Sequence, residues 1–188
     1  MRQSREAKAV THDAIVAEAS RLFRARGIEG TSVGDVMRAA KRTHGGFYRH
    51  FDTKEALLGT ALEQAFADML TTMRAGFATV DHVDALKRFA RYYLSPEQVA
   101  DVGGGCPVAA LSGDVSRGSE PIRDVFGSGA RQMIETIAKA LDGTPAERRR
   151  RAAQAFAMAA GALMIARASD AKTAELVLSA ARSGIETI

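Results

Sequence analysis

Only four prolines occur in this 188-residue chain, at positions 96, 107, 121 and 145, and no stretch alternates apolar and polar residues with period two. Proline lacks an N–H and is tolerated in a helix only in its first turn. Two of the four occur in start signatures: Ser95-Pro96-Glu97-Gln98 and Thr144-Pro145-Ala146-Glu147 both read as capping boxes with proline at the first helical position. Pro107 follows Cys106 at a third start. A chain punctuated this way, and rich in alanine, leucine, arginine and glutamate between the marks, is predicted to be all-α.

Other starts are equally legible. Thr31 or Ser32 caps a segment with Asp35 three residues after Ser32, Asp52 precedes Thr53-Lys54-Glu55, and Asp81 and Asp170 open two more helices. Together these marks predict about nine helices, over 5–26, 32–40, 43–50, 53–76, 82–94, 107–117, 120–141, 145–168 and 171–187. The first carries Ile15, Ala19, Leu22 and Phe23 on one stripe and ends at Gly27. The second carries Val33, Val36, Met37 and Ala40, and Phe47 and Phe51 share a face of the third. Three short helices with one apolar stripe each predict a small bundle, and the loosest linker is 99–105.

Charge divides the chain at the same place. Residues 1–54 hold eleven Lys/Arg against six Asp/Glu, and the remainder holds fifteen against sixteen. The first part thus carries the whole basic excess, which suggests a polyanion partner for that part alone, or a basic solvated surface. The expected division is 1–52 and 53–188. The first ten residues have no apolar signal core, one cysteine cannot form an internal disulfide, and the longest apolar run, 155–166, is shorter than the ~20 residues a bilayer needs. A cytoplasmic protein with no membrane partner is the expectation.

The short turn around Lys41 and Arg42 joins helices 32–40 and 43–50 at helix-turn-helix spacing. In the second of these, Gly45 and Gly46 sit where a helix needs good formers, and each costs about 1 kcal/mol against alanine. Lacking side chains, they let the backbone approach base edges or phosphates, while Phe47 and Phe51 anchor the segment. Arg42, Thr43 and His44 lie at the end that enters the major groove. Tyr48, His50 and Lys54, with the hydroxyls of Thr31 and Ser32, are placed for the flanking phosphates. A core-packed helical corner has the same spacing.

The stretch TSVGDVMRAAKRTHGGFYRHFDTKEALL (31–58), with the upstream AIVAEASRLFRARGIEGTS, resembles the helix-turn-helix signature of the TetR family, the tetracycline-repressor-like bacterial regulators. The resemblance covers about 12–62. It implies that Thr31 and Ser32 bond phosphate, that Thr43 and His44 contact bases or phosphates, and that Gly45 approaches DNA through its backbone. Tyr48, His50 and Lys54 match phosphate contacts. Lys41 and Arg42 depart from the family's Gly-apolar turn, and Arg42 is read as an extra DNA contact. The segment GGGCPVAALSGDVSRGS (103–119) is similar to the ligand domain of one subgroup.

The resemblance further implies a homodimer through the last two helices and a small-molecule effector held within 53–141. Phe156, Ala157, Ala160, Gly161, Met164, Leu178, Ala181 and Ile185 are the candidate dimer contacts; the same helices can also pack within one chain. Phe66, Met69, Phe89, Tyr92, Tyr93, Cys106, Phe126 and Met133 are the candidate ligand contacts, a set that a plain helical core would also show. Cys106 at a helix start admits a redox or electrophile sensor, or a small buried residue. Arg148–Arg151 fan around a helix and form no stripe. The four histidines have no metal spacing, and neither His-Glu-x-x-His nor Gly-x-Ser-x-Gly occurs, so no catalytic residue, metal or cofactor is expected. The reading is a ligand-responsive homodimeric repressor released from a palindromic operator. Its alternatives are an electrophile-sensing regulator and a helical small-molecule-binding protein without DNA binding.

Overall fold

A computed structural model describes residues 5–188, so the first four residues of the expected 1–52 unit lie outside the described residues. Among the described residues there is no strand. The α-helices are α1 (Arg5–Arg26), α2 (Val33–Ala39), α3 (Lys54–Phe77), α4 (Ala85–Tyr93), α5 (Pro96–Ala100), α6 (Pro107–Val115), α7 (Glu120–Lys139), α8 (Pro145–Ala168) and α9 (Ala171–Glu186). Two 3-10 segments, His44–Arg49 and His82–Asp84, complete the set.

Side chains satisfy the first free N–H groups at most of the predicted starts. Ser32 and Asp35 form a full capping box on α2, and Thr144 and Glu147 form another on α8. Asp170 accepts from the N–H groups of Lys172 and Thr173. The expected cap at Asp52 is corrected to Thr53, whose hydroxyl accepts from Ala56 N–H at 3.0 Å. Ser95 caps the short α5 at the expected mark, a helix that is not among the nine expected and that reaches into the expected linker 99–105 only with its last two residues.

The segment expected as helix 43–50 is a six-residue 3-10 turn, 44–49. Two adjacent glycines remove the propensity that would support a regular α-helix, and a 3-10 turn suits so short a piece. Before it, Lys41 holds φ +55°. Its N–H bonds Arg38 O and the Arg42 N–H bonds Met37 O, which is the Schellman arrangement that usually takes glycine at Lys41's position. The turn therefore keeps its shape without the family's glycine, at a cost of about 1 kcal/mol.

Two apolar clusters fill the molecule. One joins Ile15, Ala19, Leu22 and Phe23 of α1 to Val36 and Met37 of α2, Phe47 and Phe51, and the first turns of α3 through Leu62. Leu111, Val115 and Ile122 from α6 and α7 close its far side. The second, larger cluster runs from Phe66 along the rest of α3 through α4, α7, α8 and α9. Helix α3 thus serves both cores, and Phe126 packs against each. Leu57 and Leu62 are fully buried on it, and truncating either to alanine costs about 2–5 kcal/mol.

Candidate nucleic-acid interface

Helix α2, the Lys41 turn and segment 44–49 form one corner, held by Met37 and Phe47, both buried. Phe47 stacks on Phe51 at 5.9 Å and meets Tyr48 edge-on at 5.2 Å. With those rings pointing inward, Arg42, Thr43, His44, Gly45 and Tyr48 are left outward and exposed. Tyr48 is 67% exposed.

The glycines answer to no demand inside the molecule. Neither Gly45 nor Gly46 has a positive φ. A methyl built on Gly45 would meet nothing within 4 Å, and one on Gly46 would make ordinary contacts with Thr43 and Met37. An exposed backbone without side chains, flanked by donors, allows a close approach by an outside surface.

Two expected contacts, Thr31 and Ser32, need correction, and a third, Lys54, is engaged within the chain. Thr31 is fully buried, and its hydroxyl shares its one proton between Gly27 O at 2.9 Å and Leu22 O at 3.2 Å. It pins the α1–α2 loop and presents nothing outward. Ser32 is exposed, but its hydroxyl donates to the Asp35 carboxylate at 2.5 Å, so the proton a phosphate would need is already committed. That bond holds the Asp35 carboxyl below its ordinary range. Lys54 is half-buried and its ammonium donates to Ile28 O at 2.6 Å. The same peptide's N–H donates to Asp114 Oδ2 of α6 at 2.9 Å, so the loop after α1 is gripped from two sides.

His50 sits half-buried at the edge of this face, 5.9 Å from the His12 ring, and its Nδ1 is buried without a partner. Burial, then the neighbouring His12, Lys8, Arg42 and Arg49, push its pKa below the ordinary histidine value. Spacing alone could not have found His12, which stacks on Phe51 at 4.7 Å.

The ligand candidates do not line one cavity. Tyr93, Cys106 and Met133 are fully buried, with Met69 nearly so, in the larger core. Phe89 and Tyr92 border an opening of about 280 Å³ between α3 and α4, with Met73, Phe77 and Arg88. Phe66 borders a separate groove of about 470 Å³ between α3 and α7. Beneath that groove the Phe66 ring occupies the place where a Gly129 side chain would be, with Phe126 edge-on at 5.6 Å.

The dimer candidates divide as well. Phe156, Ala160, Leu178, Ala181 and Ile185 are buried where α8 and α9 meet the rest of this chain, so they are corrected to internal core. Ala157 and Met164 are exposed, and Gly161 faces open space. The sequence reading missed Met158, Ile165 and Leu176, exposed apolar side chains of α8 and α9, because both sides of α8 are apolar and the inner stripe dominates.

Residues 15–61 match the family model described as bacterial regulatory proteins, tetR family. The HTH-type transcriptional repressor DhaR of Mycobacterium sp. (strain GP1) is 30% identical over 109 residues, 58% of this chain and 54% of DhaR, so the match spans about half of that relative. The repressor NemR of Escherichia coli K12 is 26% identical over 134 residues, 70% of this chain and 67% of NemR. In three dimensions the reduced form of E. coli NemR superposes over 95% of this chain and 96% of its own, with TM-score 0.78 and 25% identity. A TetR regulator of Chloroflexus aurantiacus covers 95% and 93%, with TM-score 0.78 and 26% identity. The matched head, the likeness along nearly the whole chain and the corner at 33–49 agree, and the chain belongs to the TetR family of bacterial regulatory proteins.

Proposed function

We propose that this chain is a homodimeric transcriptional repressor whose hold on a palindromic operator is released by a small-molecule effector. Residues 1–52 read DNA, and 53–188 dimerise and sense. The observation that carries the reading is the Gly45–Gly46 backbone: exposed at Gly45, half-buried at Gly46, unstrained and unneeded by the fold, between Arg42, Thr43 and His44 on one side and Tyr48 on the other. Names of the relatives, DhaR and NemR among them, describe transcriptional repressors, which supports the same reading.

Two copies joined through the outer face of α8 and α9 would set the reading segments about 34–36 Å apart, one DNA turn. Lys54 leaves Ile28 O for a phosphate on binding, which ties head orientation to DNA contact. The effector binds within the body, between the helices of 53–188. It releases DNA only by binding one head arrangement more tightly than the other.

Fluorescence anisotropy with DNA from the protein's own upstream region, across a salt series, tests the reading. Tight, competitor-resistant binding is expected, and Lys54→Ala should reduce the slope of log K against log salt by about 0.9. Binding that is weak and equal for unrelated DNA overturns it. A second reading, release through modification of Cys106, draws on the relative NemR, whose structure is of a reduced form. In this chain burial pushes the Cys106 thiol above its ordinary range, which disfavours a resting thiolate. Release by an oxidant that Cys106→Ser abolishes would favour this second reading.

A further inference from the structure

Beneath the glycine loop 103–105 lies a group of buried polar atoms that the fold leaves unpaired. Tyr93 is fully buried, and its hydroxyl meets only the equally buried Cys106 thiol, with no oxygen or nitrogen partner. Gln98 Oε1 and two nitrogens of Arg167, Nε and Nη1, are likewise buried and unpartnered. The third, Nη2, donates to Gln98 O at 2.6 Å. An unpaired buried donor is costly, and more so when it carries charge.

The group is one-sided. Arg167 offers a positive charge and two free N–H directions, Tyr93 and Cys106 each bring one polar hydrogen and a weaker acceptor, and Gln98 Oε1 is the one spare carbonyl oxygen. Cys106 also caps the nine-residue α6 without a side-chain bond, so the positive end of that helix dipole faces the same spot. Asp101, the nearby carboxylate, acts on Arg167 only through its charge and forms no ion pair with it, while its Oδ1 accepts from Gly104 N–H at 2.7 Å. A surplus of donors around one fixed cation fits a small organic anion, a carboxylate above all.

We propose that Tyr93, Gln98, Cys106 and Arg167 form an anion-binding site and that the effector of this protein carries a carboxylate. The proposal rests on the reading of the chain as ligand-responsive and names the chemical class of the ligand. The surroundings connect the site to the head. Gly105 packs on it so closely that a methyl there would lie 2.6 Å from Arg167 Nη2. The carbonyl of the same glycine accepts from Arg24 Nη1 of α1 at 3.0 Å. At the far end of α6, Asp114 holds the Ile28 N–H. An anion that draws Arg167 and the loop together therefore acts on a helix tied at one end to α1 and at the other to the loop that follows α1.

The test is thermal melting of the full chain without DNA, so that failure to bind an operator and failure of this site are separate results. Millimolar benzoate should raise the wild-type midpoint by about 3–5 °C, and its neutral isostere benzamide should not. Arg167→Met should abolish the benzoate response while leaving the anion-free midpoint equal or higher, since it removes an unpaired charge. Arg167→Lys, which keeps the charge, should retain part of the response. Equal responses to benzoate and benzamide, no response to either, or an undiminished response in Arg167→Met would each overturn the proposal. So would a large fall in the anion-free midpoint of Arg167→Met, which would make Arg167 a structural tie. A midpoint shift produced by hydrogen peroxide and not by benzoate would place the negative charge on oxidised Cys106 and would also overturn it.

Discussion

Glycine does opposite things in the two parts of this molecule. Gly45, in the reading segment, has open space where a side chain would go, whereas Gly129, in the body, has the Phe66 ring there. The first residue is free of its own fold and the second is required by it. The same contrast holds for polar groups. In the head, Thr43 and His44 point outward, and in the body Tyr93 and Arg167 keep unpaired atoms buried. On the proposed reading, a residue that its own fold does not explain answers to something outside, DNA for the head and a ligand for the body.

Substitutions can break this contrast, and the largest effect is expected in the body. Gly129→Ala forces the Phe66 ring aside and should cost about 3 kcal/mol, lowering the thermal midpoint by roughly 5–10 °C. A midpoint within a degree of wild type would mean that the α3–α7 contact is loose. Next comes Thr31→Val, which removes a buried hydroxyl holding two carbonyls; about 1–2 kcal/mol of stability should be lost in a denaturant titration. Its DNA affinity, measured well below the midpoint, should be unchanged. Gly45→Ala should do the reverse, leaving the midpoint unchanged or slightly raised while weakening operator binding about tenfold, or 1.4 kcal/mol. A variant that binds as wild type would show that no surface comes close to that backbone.

The smallest effect concerns pH. Because the folded-state pKa of His50 is lowered, the folded protein takes up this proton less readily than the unfolded chain. The contribution is complete above the unfolded value near 6.5 and is lost as pH falls through the folded one. The wild-type midpoint should therefore drop on acidification below about pH 6.5 more than that of His50→Gln. Parallel curves would remove His50 from the account.

Helix starts were legible because capping is local: Ser32, Thr144 and Asp170 act on N–H groups two or three residues away. What lay beyond such local rules was not. Thr31 and Ser32 are adjacent hydroxyls, and only the path of the chain after Gly27 buries one and exposes the other. The reading segment's 3-10 form differs from an α-helix by one residue of hydrogen-bond spacing, which six residues cannot reveal as a period. Arg167, in the last turn of α8, reads as a solvated cation until the fold sets Gln98 and the glycine loop over it. The outer apolar side chains of α8 and α9 are hidden in the sequence because Phe156 and Ala160 give the stronger apolar period, and that stripe is used within the chain.

The openness around Gly45 has an evolutionary consequence. Arg42, Thr43 and His44 stand exposed, and the turn beneath them is held by the backbone bonds of Lys41, Arg42 and Gly46 and by the buried Phe47. Replacing those three side chains leaves what stabilises the corner in place. On the proposed reading, descendants of this protein acquire new operators one residue at a time without passing through unfolded intermediates, and a single ancestral fold diversifies into many regulons.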